Sequence, residues 1–485
     1  MKNVGRTDKD VRPVAGHVPM ATFDLAVLGG GTGNIVASAA AEAGQDVALV
    51  ERGRLGGTCL NRGCNPSKKL IHAAQVVESV RSPPHDGVDA SLEAVDFAGI
   101  VEGVEETVRS DAEAKAERAR EADTLTFYQC EGRFVDDRTV EVDTDGPDSE
   151  RLTADAVVLA GGSRPAVPDA IEGTAETDFL TSDDALFLDE RPNRLVVVGG
   201  GYVAVELSYF FSQMGTDVTI VGQGDVLVDR EDPDVAAHLT DVYGDRHDLH
   251  LGYRVNEIAE TDDGNRVSAK DDDGEAVTVS GDRLLLAAGR QPNSDVWNVE
   301  AGGIETDDDG FVETDEFLET SADGVYAIGD IAGNYVFKHS GDKEAEYVVD
   351  AVVHGDETPV EYPGMAHAIF GSPQVAGLGE TEHDLDGDAP EDYRVGTYAY
   401  DDTALGESLG HEGGFAKALV GTDGEVLGCH VVGPDASTLI HEVSTALAAG
   451  GDARTIAETI HVHPALSEVV QGAFQAAIDD VQSGI

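Results

Sequence analysis

Phe23-Asp-Leu-Ala-Val-Leu-Gly-Gly-Gly-Thr-Gly-Asn34 is the stretch that decides the fold. Residues 23–28 read as a short apolar strand. The glycine-rich turn leads into an Ala-rich helical stretch that runs to about Ala43, and Gly44 stops it. Residues 46–50 are a second strand, closed by Glu51. Strand, glycine turn, helix and strand within about 30 residues make a dinucleotide-binding βαβ unit. There the first glycine makes the turn, the second lets the backbone approach a pyrophosphate, and the third position must be small. Gly29, Gly31 and Asn34 hold those places, and Asn34 departs from the pattern. The helix N-terminus turns its positive end to the phosphates. Glu51, about 20 residues on, suits a ribose hydroxyl.

A second unit begins at Arg194. Residues 195–198 are its strand, Gly199-Gly-Gly201 its turn, residues 202–214 its helix and residues 218–221 its next strand. Gly199, Gly201 and Ala204 fit the pattern better than the first copy does. The ribose position falls on Gly222 or Gln223, where no acid stands. An acid there pairs with the 2′-hydroxyl of NAD and repels a 2′-phosphate, so its absence favours NADPH. No Arg fills the place either, and Arg230 is the nearest candidate.

Around these units the chain has 485 residues, which suggests three or four domains. Helices are expected over 67–80 and 97–122, hairpin turns in the acidic segment 260–282, and strands over 284–288 and 325–328. Beyond about residue 357 strands alternate with turns to 433, and helices near 436–450 and 464–480 complete a separate α+β domain.

The formal net charge is -62, from 94 acidic and 32 basic residues. Regular strand–turn–helix patterns argue against disorder, so the acids coat a folded surface. At molar salt the Debye length is about 3 Å and their repulsion is screened, which points to a halophilic source. The same charge argues against DNA, RNA and anionic membranes as partners, because phosphate binding needs clustered Lys and Arg. No run of about 18 apolar residues exists for a membrane helix. Residues 1–22 lack an apolar core for a signal peptide and read as a mobile tail, and a cytoplasmic location is expected.

Four cysteines are too few for a disulfide scaffold of this size. Two lie in Gly56-Gly-Thr-Cys59-Leu-Asn-Arg-Gly-Cys64-Asn-Pro-Ser-Lys68. A bare Cys-x4-Cys is usually two buried thiols, and a metal site would need a further Cys or His pair at ligand spacing, which is not found. Five residues of ideal helix rise about 7.5 Å. A disulfide tolerates a Cα separation of only about 7 Å. Closure of this pair therefore needs distorted backbone, which Gly63 eases. Pro66 and Ser67 open a helix whose dipole lowers a nearby thiol pKa. Near the C-terminus, His461-Val-His463-Pro464-Ala-Leu-Ser-Glu468 puts a proline at the expected first helical position, with His463 before it and Glu468 in the first turns. Histidine can accept and return the proton that thiol–disulfide exchange requires.

The stretch from Gly56 to Lys68 strongly resembles the redox motif of the pyridine nucleotide–disulfide oxidoreductases. That group includes glutathione reductase, dihydrolipoyl dehydrogenase, mycothione reductase and mercuric reductase. Thr320–Asp330 looks like its second FAD motif, and residues 160–165 and 288–293 look like its two linking motifs. The resemblance covers nearly the whole chain after the tail. It implies an α/β fold with two Rossmann-like domains, for FAD and NADPH, and a C-terminal α+β dimerisation domain. The boundaries expected are a tail over 1–22, the FAD domain over 23–165, the NADPH domain over 166–288, a return to the FAD domain over 289–357 and the dimerisation domain over 358–485.

The resemblance also implies roles. Cys59 would attack the substrate. Cys64 would face the flavin as the charge-transfer thiolate. Lys68, near flavin N5, would pair with Glu206. His463 and Glu468 would be the acid–base dyad, reaching Cys59 of the other subunit, so that an obligate homodimer is implied. FAD would be held by Gly29, Gly31, Gly33, Asn34, Glu51, Gly57, Thr58, Lys68, Gly132, Ser163, Arg290 and Asp330. NADPH would lie at Gly199, Gly201, Val203, Ala204, Glu206 and Gly289. Cys130 and Cys429 match no motif and read as packing residues, and His441 and His461 receive no role.

The expected substrate is a small-molecule disulfide. Mercuric reductase is disfavoured because the chain ends Val481-Gln-Ser-Gly-Ile485 without a cysteine pair and keeps His463. Dihydrolipoyl dehydrogenase is the serious alternative, opposed by Gly222 and by the polar Arg62 and Asn65 in the redox loop. A flavin-binding module without chemistry would not need Cys59, Cys64, Lys68, Glu206, His463 and Glu468 together. With a halophilic composition the favoured substrate is bis-γ-glutamylcystine, since γ-glutamylcysteine is the small thiol of halophilic archaea.

Overall fold

The structure is a computed structural model that describes residues 20–81, 87–143, 149–262, 264–388, 393–409 and 413–478. The expected tail lies outside these residues up to position 19, as does the cysteine-free C-terminus from 479. The first strand, Met20–Leu28, reaches three residues further back than the sequence suggested. Met20 is already in register with Arg151, and the pairing continues to Leu28 and Leu159.

Met20–Leu28 sits in the middle of a seven-stranded sheet. On one side it pairs in parallel with Val47–Val50, which pairs in turn with Leu125–Tyr128. On the other side it pairs with the long strand Glu150–Leu159. The first half of that strand takes an antiparallel hairpin, Gly132–Asp136 and Thr139–Val142, and its last residues take Val325–Ala327 in parallel. Leu25, Val27, Leu28, Val47, Leu49 and Val50 are almost wholly buried, as expected of strands covered on both faces. The turn after the first strand requires glycine at position 29. Its φ is +107°, and a Cβ there would lie 2.1 Å from the Ala160 carbonyl oxygen.

The second βαβ unit repeats this construction. Arg194–Val198 lies between Asp217–Val221 and Arg283–Leu286, with Asp248–His250 at the edge, all parallel. Gly199 has φ +127°, and a Cβ there would lie 2.2 Å from the Ala287 carbonyl oxygen. A three-stranded antiparallel sheet, Arg254–Thr261, Gly264–Lys270 and Ala276–Gly281, accounts for the acidic hairpin segment. The chain enters and leaves this unit through one two-stranded ribbon, Ser163–Pro165 against Arg290–Pro292.

The C-terminal unit is a five-stranded antiparallel sheet, in the order Ala366–Ile369, Gln374–Gly379, Val426–Gly433, Phe415–Gly421 and Tyr393–Ala399. Helices Ala436–Ala448, Ala453–Glu458 and Glu468–Ala477 share its core, in which Cys429 is fully buried. Cys130 is half-buried against the core of the first sheet. The last helix starts at Glu468 rather than at Pro464. The reason is local. Glu468 turns one carboxylate oxygen back to His463 and the other to the Ala465 N–H, so residues 464–467 form a turn and Glu468 heads the helix.

The second and third units are joined by a buried charge cluster. Lys417 and Asp232 are both 0% exposed, and the Lys417 ammonium donates to Asp232 at 2.8 Å, to Asp234 at 2.6 Å and to Glu382. Burial works against the charged ammonium, but these three bonds prevail and hold its pKa above the usual lysine range. The three carboxylates lie close enough together to suggest a cation site, but Lys417 is the cation there.

Candidate active site

One cavity of about 1330 Å³ runs from the first glycine turn to the cysteine pair. Eight Lys and Arg and eight Asp and Glu residues line it. That is an even balance in a chain with nearly three acids for every base.

The redox stretch forms two helices, Gly57–Arg62 and Cys64–Arg81, broken at Gly63, whose φ of −141° and ψ of −123° are far from helical. The distortion expected from the spacing is thus present, although the second helix opens at Cys64, ahead of Pro66. Cys59 and Cys64 are free thiols, and each shifts the titration of the other. Their protonation is split. The hydrogen bond from Cys59 and the nearby Lys68 bring the Cys64 thiol down to about 6 against the opposing effect of burial. Cys59 is pushed up by its hydrogen bond to Cys64 and by burial, with Lys338 opposing. The reduced pair therefore carries its negative charge on Cys64.

Lys68 donates to both carboxylate oxygens of Glu206, at 2.8 and 2.7 Å. The Phe370 N–H holds one of those oxygens at 3.0 Å. The pair is set by the packing of two helices. Leu70, Ile71 and Ala74 of the cysteine helix share a core with Leu207, Phe210 and Phe211 of Tyr202–Gln213. Arg62 does not serve the thiols. It lines the cavity and pairs with Asp183 at 3.1 Å. Asn65 stays beside Cys59, with Oδ1 3.9 Å from the sulfur.

At the other end of the cavity, Gly31 and Gly57 touch, and a Cβ on Gly57 would lie 2.5 Å from the Gly31 Cα. Glu51 accepts from the Gly30 and Gly53 N–H groups at 2.9 and 2.8 Å. Thr58, Gly132, Arg290 and Asp330 also line the cavity. Ser163 donates to Asp330 and receives a bond from Arg290 at 2.8 Å, so it acts behind the wall. Gly33 and Asn34 do not line it. Gly33 is packing space, since a Cβ there would come within 2.8 Å of Val27. In the second unit Val203 and Glu206 line the cavity, whereas Gly199, Gly201, Ala204 and Gly289 do not. Gly222 follows Val221 with no acid at its own position, but Asp225 comes close to Gly252 at the same end of that sheet.

His463 and Glu468 are joined, Nδ1 to Oε1 at 2.9 Å. That bond and the Ala465 N–H keep the Glu468 carboxyl below its usual range. The His463 side chain is 71% exposed and does not line its own chain's cavity. Sequence reasoning missed a second group around the cavity. Tyr202 lies parallel to Phe337 and His367, and Glu231 accepts from the Tyr202 hydroxyl at 2.9 Å and meets His367 Nε2 at 2.9 Å. It also missed Lys338, which is paired with Asp342 on the helix Lys338–Val349. Neither group has a contiguous motif.

Two paired thiols, a lysine–carboxylate pair beside them and a glycine cradle in the same cavity define a flavin-linked disulfide chemistry. Comparison with known proteins agrees. Residues 23–355 match the family model described as pyridine nucleotide-disulphide oxidoreductase, and residues 365–474 match that family's dimerisation domain. The chain belongs to the pyridine nucleotide–disulphide oxidoreductase family and is a flavin-dependent disulfide oxidoreductase. It is 34% identical to a dihydrolipoyl dehydrogenase of Halobacterium salinarum, over 96% of this chain and 98% of that one. It is 33% identical to a mycothione reductase of Mycobacterium tuberculosis, over 94% and 99%. Among solved structures, the HOCl-induced flavoprotein disulfide reductase RclA of Escherichia coli superposes with a TM-score of 0.82 at 25% identity, over 94% and 99% of the two chains. No helix among the described residues is long and apolar enough to cross a membrane.

The family uses FAD and a pyridine nucleotide. The residues present fit FAD. The Gly31–Gly57 contact leaves backbone open to a pyrophosphate, Glu51 stands at the end of its strand, and Asp330 faces the cavity beside Arg290.

Proposed function

We propose that this enzyme uses NADPH to reduce a small polar disulfide, with bis-γ-glutamylcystine as the favoured substrate. The observation that carries the reading is the pair of free thiols in the cavity that Lys68 and Glu206 also line, together with a His463–Glu468 pair that does not line its own chain's cavity and is mostly exposed at His463. Bound FAD supplies the path by which two electrons pass from the nicotinamide to the cysteine pair.

Lys68 favours the Cys64 thiolate. His463 of a second copy of the chain takes the Cys59 proton, and the thiolate so formed attacks one sulfur of the substrate and expels the other as a thiolate. His463 of a second copy of the chain gives that thiolate its proton, and Glu468 keeps the ring oriented. Cys64 then attacks the Cys59 sulfur, re-forming the Cys59–Cys64 disulfide and expelling the second half of the substrate as a thiolate, which takes its proton from solvent. His463→Gln should slow this half of the cycle by about 100-fold or more while reduction by the nicotinamide proceeds normally. Stopped-flow measurement of the two halves checks this, and an unchanged oxidative half would remove His463 from the scheme.

The choice of a polar substrate is supported by the equal numbers of cations and carboxylates that line the cavity, in a chain where acids otherwise prevail. NADPH is supported by the missing acid at Gly222. The haloarchaeal relatives named dihydrolipoyl dehydrogenase, with Asp225 near the same strand end, favour a second reading in which NADH and lipoamide are used. The test is nicotinamide oxidation in multimolar KCl. Bis-γ-glutamylcystine, glutathione disulfide and lipoamide would each be tried with NADPH and with NADH. Turnover of bis-γ-glutamylcystine with NADPH alone is the expected result. Activity confined to lipoamide and NADH would replace this reading with the second.

A further inference from the structure

The segment that carries His463 is anchored by another histidine–carboxylate pair. Ile460 is 97% exposed and Val462 75%. Between them His461 points inward, with its side chain 8% exposed. Its Nδ1 lies 2.9 Å from the Thr459 carbonyl oxygen, and its Nε2 lies 3.0 Å from Oε2 of Glu442 on the Ala436–Ala448 helix. Gln471 donates to the same Thr459 carbonyl at 2.6 Å. His461 is thus the inward-facing tie of an otherwise outward-facing stretch.

A carbonyl oxygen only accepts, so Nδ1 must carry a proton. Nε2 then has two options. A charged ring donates to a carboxylate, or a neutral ring accepts from a carboxylic acid. In both cases one proton lies between Nε2 and Oε2. The other Glu442 oxygen, Oε1, is buried and has no hydrogen-bond partner among the described residues. An ionised carboxylate is costly there. Burial accordingly raises the Glu442 carboxyl, with His461 opposing. At longer range His461 helps to keep Glu468 ionised.

We propose that Glu442 and His461 are positioning residues that share one proton, lock residues 459–463, and so set the direction in which His463 is presented to the thiols of a second copy. This rests on the reading of His463 as the proton relay. The charged groups that face His461 are Glu442 from its helix and, at longer range, Glu468 from the head of the last helix.

The experiment compares Glu442→Gln, Glu442→Leu and His463→Gln holoenzymes in multimolar KCl. Stopped flow would follow reduction by NADPH or NADH, then reoxidation by bis-γ-glutamylcystine or lipoamide, whichever pair the enzyme turns over. Glu442→Leu is expected to slow reoxidation by about 10- to 100-fold, as a displaced catalytic group does, and to leave reduction within about twofold. The amide introduced by Glu442→Gln can donate to the neutral ring at any pH. That variant should therefore keep reoxidation near wild type. It also keeps the test open should the Leu variant fail to fold. Equal slowing of both halves or no slowing at all in Glu442→Leu, or slowing in Glu442→Gln as large as in Glu442→Leu, would overturn the proposal alone. Normal reoxidation in His463→Gln would overturn the relay reading, and the proposal with it.

Discussion

Cys59→Ser should retain FAD and lose turnover by at least about a thousandfold, as expected when a nucleophile is removed. The cradle at Gly31, Gly57, Glu51 and Asp330 does not depend on the Cys59 sulfur, so cofactor content and folding should match the wild type. The introduced hydroxyl can still donate to Cys64, and Lys68 remains in place. Cys64 should therefore stand as a thiolate without any reductant, and its long-wavelength flavin band should fade as pH falls through about 6. The sign follows from the lowered thiol pKa, which favours the thiolate above that value. Turnover and pH-dependent absorbance check both points. Near-normal turnover would end the assignment of Cys59, and a variant with no band at any pH would remove Cys64 from the flavin.

Lys417→Met should cost about 3–5 kcal/mol of stability, the usual effect of removing one partner from a buried ion cluster. Asp232, fully buried, and Glu382 would be left without their cation, and Asp234 is the only member with much access to water. The lysine's raised pKa means that its contribution is fully present at every pH below about 10.4 and is lost only as pH rises through the higher folded value. Denaturant titration at fixed KCl, at neutral pH, measures the effect. A loss under about 1 kcal/mol would show that the cluster is not a structural clamp.

The glycine turns, the redox stretch and the His-Pro…Glu run were legible because each is contiguous and its spacing carries its own physical reason. Asp330 and the two linking segments were recognised by resemblance, and the ribbon pairing that joins the segments is a property of the folded chain alone. Lys68 and Glu206 are 138 positions apart, and only the family pattern linked them. Nothing local announces that Arg62 meets Asp183, that Lys417 collects three carboxylates, or that Glu231 joins Tyr202 to His367. Pro464 was misplaced for a related reason. Proline is common at a helix start, but here the side chain of Glu468 uses its two oxygens on residues before it, and that local competition decided where the helix begins.

The Ser163–Pro165/Arg290–Pro292 ribbon has a topological meaning. A chain that departs and returns through adjacent strands treats the whole intervening unit as an excursion from the first sheet, which resumes at Val325–Ala327 as though uninterrupted. The two crossings share one axis, stiffened by Arg164, which grips Asp295 at 2.8 and 2.7 Å. The second unit is therefore an insertion whose ends meet at the ribbon, so the first sheet keeps its register across it, while the insertion itself stays tied to its neighbours by Lys68–Glu206 and by the Lys417 cluster.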